Sequence, residues 1–369
     1  MTAVVERSRA SKPAVEALPL EAAPDVVQAL ENLSLAPVSA QDVTGHLGRN
    51  DNWGMTVSGG RRVFVKRLTG PAEQTAARLA RATTLAAFVG AAPPRHWRVP
   101  RLLGVDAEAR VLVFEFLTGA VPGAERMDDV AVGVGIARRI GRALGELHAA
   151  PAPPGVTPLP YGAERRLTAL TPDQYVTCSG AELELWALLQ HDRQVTRALA
   201  DLTQRSREAA QVPSHCDLRL DQILVTGDQI HLIDWEEFRL ADPAMDVGSF
   251  VGEWLYRAAS SMFADVGGLG GGGAADMHDG LVSRGERELE VIRPLVMAFW
   301  AGYRRECPPD AGLADRATGY AGWHLFDRMF ASAGLSAQLG ARERGIAGIG
   351  RSALIEASDL VTTIGLEDA

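Results

Sequence analysis

The chain has 369 residues, 47% apolar and 22% charged, the composition of a soluble globular protein long enough for one large domain or two lobes. Its net charge of −9, from 37 Lys and Arg against 46 Asp and Glu, argues against nucleic acid as a partner, because phosphate backbones want a basic surface. Three scattered cysteines, Cys178, Cys216 and Cys307, make neither a disulfide framework nor a metal-binding pair, and neither the start MTAVVERSRASK nor any later run has the apolar length of a signal peptide or membrane span, so a cytoplasmic protein with no membrane partner is expected.

Residues 1–23 are rich in Ala, Glu and Pro without a period and are expected to be flexible. Val26, Val27, Leu30 and Leu33 recur at helical spacing and predict a short helix over 24–35. The stretch VTGHLGRNDNWGMTVSGGRRVFVKRL reads as strands split by Gly and Asn, with Ser58-Gly59-Gly60 as a hairpin turn. A helix is expected at 76–89, then two strands in RVPRLLGVDAEARVLVFEFLTG, the second built on Val111-Leu112-Val113-Phe114. Downstream the pattern is mostly helical. Ile136, Ile140, Leu144 and Leu147 share one face, and a further helix is expected over 181–210. One β-hairpin, QILVTGDQIHLID, interrupts the helices with a turn at Thr226-Gly227-Asp228. After Pro243 the chain is expected to be helical to its end, except for the Gly-rich insert 265–285, which cannot hold regular structure and reads as a connector or as a mobile flap. The expected organisation is an extension over 1–39 carrying the short helix, a β-rich N-lobe over 40–117 and a mainly helical C-lobe over 118–369.

The hairpin carries the chemistry. Asp217 and Gln222 flank the loop that enters its first strand, and Asp234 ends the second. Adjacent strands lie about 5 Å apart, so the entry of one and the exit of its partner can converge on one ion. Mg²⁺ takes one or two carboxylates plus substrate phosphates, a requirement that Asp234 and the Gln222 amide oxygen meet. Asp217 is then left to accept a hydroxyl proton, and Arg219 to face a transferring phosphate. Upstream, Lys66 ends the apolar strand Val63-Phe64-Val65. The loop GHLGRNDNWG offers Gly45 and Gly48 for close backbone approach to phosphates, although it is not a strict GxGxxG.

HCDLRLDQIL followed by LIDWEEFRLADPAMDVG resembles the aminoglycoside phosphotransferase and choline kinase superfamily, related in fold to protein kinases. The resemblance implies an α+β, bilobal, protein-kinase-like fold and chemistry with ATP and Mg²⁺. It implies Asp217 as catalytic base, Asp234 as metal ligand, and Gln222 in the place of the family's metal-binding Asn. Lys66 resembles the lysine that holds the α- and β-phosphates, and Glu115 and Leu117 fall where backbone groups pair with adenine. His215, Asp242 and Asp246 match residues that support the catalytic loop. His148 in GELHAAP reads as a core or capping histidine. This chain departs from the pattern in three ways. Gln222 is one methylene longer than Asn, the helix over 76–89 holds no glutamate to pair with Lys66 (Glu73 precedes it), and Ala241 stands where the family has Gly.

The resemblance implies a hydroxyl as the acceptor. The wording HCDLRLDQILV with LIDWEEFRLADPAMDVGSFVGEWLY is most similar to phosphotransferase subunits of class V lanthipeptide and thioamitide clusters. That similarity implies Ser or Thr of a ribosomal precursor peptide as acceptor and a partner lyase that eliminates the phosphate. The alternatives are a kinase of an aminoglycoside-like antibiotic or metabolite, and a catalytically weak pseudokinase that presents peptide to partners.

Overall fold

The computed structural model describes residues 18–36, 43–46, 49–156, 158, 167, 169–264, 274–334 and 336–367. The chain divides into two compact units, one formed by residues 1–86 and 100–118, the other by 87–99 and 119–369.

The first unit is built on a five-stranded antiparallel sheet of order β1-β2-β3-β5-β4, with β1 Thr44–His46, β2 Asp51–Val57, β3 Arg61–Arg67, β4 Leu102–Asp106 and β5 Val111–Glu115. The hairpin between β2 and β3 turns on Gly59 and Gly60, both at positive φ, which side chains beyond glycine rarely adopt. Alternation divides the sheet residues between its faces. Val63, Val65, Val111 and Val113 pack with Trp53, Met55 and Val57 against helix α1, Pro24–Asn32, through Val26, Ala29 and Leu30. Leu112 joins Leu68 and Ala82 on the other face, beneath helix α2, Ala72–Ala91. The expectation that the N-terminal residues form a loose extension fails for the described part. Leu20, Ala23 and Leu35 are buried in the same core, and the Trp53 indole donates to the Leu18 carbonyl at 2.7 Å. The α1 apolar stripe would expose its valines and leucines unless it covered the sheet. Residues 1–17 lie outside the described residues.

The second unit is mainly helical. Helix α4, Val130–Ala149, packs along α9, Ala274–Glu306, and α8, Ala244–Met262, along α10, Leu313–Ala333. Gly141 and Gly302 lie where α4 and α9 come so close that a Cβ would overlap the backbone of the facing helix. The remaining helices are α3 Gly123–Arg126, α5 Pro172–Thr177, α6 Gly180–His191, α7 Arg193–Glu208, α11 Ala341–Ile355 and α12 Ala357–Ile364. The single helix expected over 181–210 is two. Asp192 leaves the helical conformation, and its carboxylate accepts the N–H groups of Gln194 and Val195, restarting the chain as α7. The Gly-rich insert also requires correction. Residues 265–273 lie outside the described residues, but from Ala274 the chain is helical, so the second half of the insert belongs to α9. Only Gly280 and Gly285 interrupt that half, at a cost of about 1 kcal/mol each against Ala, which helix packing outweighs.

Two small β elements complete this unit. Strand β8, Ile223–Thr226, pairs with β9, Gln229–Leu232, and with β6, Val121–Pro122. Strand β7, Val212–Ser214, pairs with β10, Arg239–Ala241. The β7/β10 pair matters because the chain leaves β7 into His215-Cys216-Asp217 and leaves β10 into Asp242.

Candidate active site

Asp217 follows β7 with a side chain 39% exposed. Between it and β8 the chain makes one 3-10 turn, Leu220–Gln222. That turn folds Gln222 back beneath Asp217, so its amide nitrogen donates to Asp217 Oδ2 at 3.0 Å. The Gln222 amide oxygen is buried and has no hydrogen-bond partner. A buried, unpartnered acceptor is costly unless something else fills it. Asp234 sits two residues beyond β9 in the left-handed region, φ 66 and ψ 55, and opens the turn Trp235–Glu237. The β8/β9 register pairs Ile223 with Leu232, and the Ile233 N–H donates to the Gln222 carbonyl at 3.0 Å, so Gln222 and Asp234 lie at the same end of the hairpin. Among the described residues no three His, Cys, Asp or Glu side chains cluster as a metal cage. The open Gln222 oxygen and the Asp234 carboxylate fit a hard divalent ion that draws its other ligands from phosphates and water.

Arg219 pairs with carboxylates of its own loop. Its Nη1 donates to both Asp217 oxygens, at 3.0 and 2.9 Å, and its Nε to Asp221 at 3.1 Å. Burial disfavours the guanidinium charge, but Asp217, Asp221 and Asp234 together push its pKa above the ordinary arginine value. The three carboxylates and one permanent cation therefore act on each other before any phosphate arrives.

Support for the loop is buried. Asp246, in the first turn of α8, accepts the N–H groups of His215 and Cys216, each at 2.7 Å, one on each oxygen. His148 of α4 donates from Nε2 to Asp246 at 3.1 Å, while the Tyr303 hydroxyl of α9 sits 3.0 Å from His148 Nδ1. Burial works to raise the Asp246 carboxyl, but His148, His215 and the backbone donors hold it below the usual carboxylate range. His148 is thus a core histidine with a specific task. The Cys216 backbone is left-handed at φ 63, and burial pushes its thiol far up, which removes it as a nucleophile beside Asp217. The His215 ring stands 4.4 Å from Trp235, which stacks on Trp97, and His215 Nε2 lies 2.9 Å from the Ile233 carbonyl. Asp242 accepts from Nε and Nη2 of Arg316 in α10, at 2.8 and 3.0 Å. Sequence reasoning missed Arg316, which no local motif marks.

The remaining site residues belong to the first unit. Lys66 is buried on β3, opposite Asn52 and Leu112, and alternation puts it on the sheet face that carries Leu112 and Phe114. Helix α2 begins earlier than expected, so Glu73 lies within it but exposed, and the buried charged residue of that helix is Arg78. Arg78 donates to Asn50 Oδ1 at 2.7 Å and to the Thr69 carbonyl at 2.9 Å, pinning the entry to β2. Gly45 lies on β1 opposite Trp53, and Gly48 lies outside the described residues. Glu115 ends β5, donating its N–H to the Arg101 carbonyl and accepting the Arg101 N–H on its carboxylate, both at 3.0 Å. Any adenine contact at Glu115 must therefore use its carbonyl. Leu117 follows two residues on, outside the strand.

The sequence model of the phosphotransferase enzyme family (APH) matches residues 43–281. No curated protein matches the chain. Among solved structures, a microcompartment-associated aminopropanol kinase is similar with a TM-score of 0.54 at 16% identity, covering 93% of this chain and 99% of that one. The amicoumacin kinase hAmiN, in complex with AMP-PNP, Ca²⁺ and Ami, is similar with a TM-score of 0.51 at 13% identity, covering 88% and 91%. At such identities the likeness establishes the fold, which is bilobal and protein-kinase-like. No helix among the described residues is long and apolar enough to cross a membrane.

Proposed function

This chain belongs to the phosphotransferase enzyme family and acts on hydroxyl groups, and within that activity we propose ATP as the donor, Mg²⁺ as the metal and Asp217 as the residue that takes the acceptor proton. The observation that carries the reading is the loop after β7, where Gln222 orients Asp217 by its amide nitrogen and keeps its amide oxygen open. The acceptor hydroxyl gives its proton to Asp217 as its oxygen bonds to the γ-phosphorus, and the bond to the β-phosphate oxygen breaks to leave ADP. Lys66 is assigned to the α- and β-phosphates. Arg219 balances Asp217 and Asp221 and offers its charge to the transferring group. Gln222 and Asp234 would hold the metal, which when bound neutralises phosphate charge. Glu115 and Leu117 are assigned to adenine through the backbone, and Gly45 and Gly48 to the loop over the phosphates.

For the acceptor we infer a Ser or Thr hydroxyl of a ribosomal precursor peptide, with a partner lyase eliminating the phosphate afterwards. The support is the resemblance of HCDLRLDQILV and its companion LIDWEEFRLADPAMDVGSFVGEWLY to the phosphotransferase subunits of such pathways. A second reading, a small-molecule kinase, is favoured by the similar solved structures named for aminopropanol and amicoumacin. Label transfer from γ-labelled Mg·ATP into Ser/Thr-rich peptides bearing leaders, run beside aminoglycosides and amino alcohols, decides between them. Label in peptides supports the first reading and label only in small molecules the second. Mg·ATP bound with no transfer to either pool defeats both acceptor readings.

A further inference from the structure

Lys66 has two cross-strand neighbours in the sheet, Asn52 on β2 and Leu112 on β5. Directly opposed residues share a face, with Cβ atoms about 5 Å apart, so Asn52 and Lys66 stand side by side. Each is only 8% exposed. At that depth an amide needs partners at both of its ends. Asn52 has one. Its Nδ2 donates to the Asn50 carbonyl at 2.9 Å, while its buried Oδ1 has no hydrogen-bond partner among the described residues.

Helix α2 fixes how that amide points. Arg78 of α2 donates to Asn50 Oδ1 at 2.7 Å, and the Thr69 N–H donates to the same oxygen at 3.2 Å. Asn50 is therefore held by its side chain and in turn holds Asn52 by its carbonyl. A carbonyl accepts only from an N–H, so the Asn52 nitrogen must face Asn50 and its oxygen must face elsewhere. The other cross-strand neighbour of Asn52 is His46 on β1. That ring is turned to the next row of the sheet, with its centroid 5.5 Å from the Phe64 ring, and a Cβ on Gly54 would come 3.1 Å from its Nε2. Lys66 is the neighbour that carries donors toward Asn52. An ammonium has three of them, so two given to phosphates leave one for an amide oxygen.

We propose that Asn52 is a positioning residue for Lys66, its amide oxygen taking one N–H of the ammonium while the α- and β-phosphates of ATP take the others. The proposal rests on the reading of Lys66 as the phosphate lysine. It gives α2 a hold on that lysine through Arg78, Asn50 and Asn52, although the buried charged residue of the helix is an arginine. A carboxylate in the place of Asn52 would offset the charge of the ammonium. A neutral amide orients it and leaves the whole charge to the phosphates.

The test compares Asn52→Leu and Asn52→Ser with the wild type, Lys66→Ala and the double variant Asn52→Leu with Lys66→Ala. Leucine keeps about the size of asparagine without an acceptor, and serine is too short to reach the lysine. The readouts are the Kd of Mg·ATP and of adenosine by titration calorimetry, and thermal melting. Asn52→Leu is expected to melt near the wild type, because an unpartnered buried oxygen is removed together with the tie to Asn50. It should weaken Mg·ATP by roughly ten- to a hundredfold, the loss of one hydrogen bond to a charged group. Adenosine has no phosphate for Lys66 and should bind as it does to the wild type. In the Lys66→Ala background the same substitution should have little further effect, since the pair is already broken.

Folded Asn52→Leu with wild-type affinity for Mg·ATP overturns the proposal. An equal loss for adenosine also overturns it, as the mark of a general disturbance of the sheet. A fully additive loss in the double variant overturns it too, because Asn52 would then act apart from Lys66. If Asn52→Leu does not fold, Asn52→Ser is read by the same criteria, alone and with Lys66→Ala. Undiminished Mg·ATP binding in Lys66→Ala defeats the assignment of Lys66 itself, whereas weakened binding there beside a wild-type Asn52→Leu defeats only the role of Asn52.

Discussion

Gln222 allows a quantitative test, because one side chain makes one bond and leaves one acceptor open. Gln222→Ala deletes the 3.0 Å donation to Asp217 and the buried oxygen together. A hydrogen bond to a charged group contributes roughly 1.5–3 kcal/mol. If that bond holds Asp217 in place during transfer, its loss appears in the barrier, and at about 1.4 kcal/mol per tenfold it lowers kcat by roughly one to two orders of magnitude. Loss of the oxygen should separately raise the Mg²⁺ concentration needed for half-maximal rate. Gln222→Asn withdraws the amide by about one C–C bond, roughly 1.5 Å. The amide would then fall short of Asp217, so this variant should resemble the alanine one. Gln222→Glu would set a second carboxylate against Asp217, and like charges resist joint ionisation, so the acid limb of the pH–rate profile should move to higher pH. The assay is initial-rate phosphate transfer from γ-labelled ATP across a Mg²⁺ titration. Folded Gln222→Ala with wild-type kcat and wild-type metal dependence would refute the role given to this residue.

Asp217→Asn should retain Mg·ATP binding, measured by titration calorimetry, while transfer falls by about two to four orders of magnitude, the usual contribution of a general base. Lys66→Ala should act mainly on the nucleotide, raising the ATP KM more than it lowers the affinity for the acceptor in steady-state kinetics. Asp246→Asn should destabilise by about 3 kcal/mol or more in urea at neutral pH, since a buried charge network loses its centre. Asp246 is held below 3.8 in the fold, so its stabilisation is complete above that pH and fades as pH falls further. The gap between wild type and variant should therefore narrow in urea titrations below that pH, and a gap unchanged there would remove the charge from the explanation.

The sequence was informative where one short segment contains both the scaffold and the chemistry. VFVK alternates as a strand must, and Lys66 does lie on the face opposite Val63 and Val65. HCDLRLDQ and LIDWEE flank a hairpin whose register follows from a turn two residues long, Gly227-Asp228, so their convergence could be anticipated. Contacts between distant helices could not. Glu253 and His324 are 71 positions apart in the chain, and each alone reads as a polar blemish in an apolar helix. The partners of Arg219 were not legible for another reason. Sequence order gives its position but not its preference among Asp217, Asp221 and a phosphate, which only geometry ranks. The helix break at Asp192 was visible as a capping residue but was lost inside a long apolar period. The helix after the glycine run was lost because composition was weighed over the whole insert, not its two halves.

Two residues flanking the hairpin, Cys216 and Asp234, are left-handed and neither is glycine. Such conformations cost on the order of 1–3 kcal/mol each and persist only where the surroundings leave no choice. At Cys216 the constraint is Asp246, which takes two consecutive N–H groups and can do so only if the chain turns there. At Asp234 it is Trp235, whose indole donates to the Leu232 carbonyl at 2.8 Å while its ring packs on His215. His215 belongs to both constraints, through its N–H to Asp246 and its ring nitrogen to the Ile233 carbonyl. The loop that carries Asp217 and the turn that Asp234 opens are therefore held by one buried unit. A substitution at His215 should disturb Asp217 and Asp234 together, which separates its role from that of either carboxylate alone.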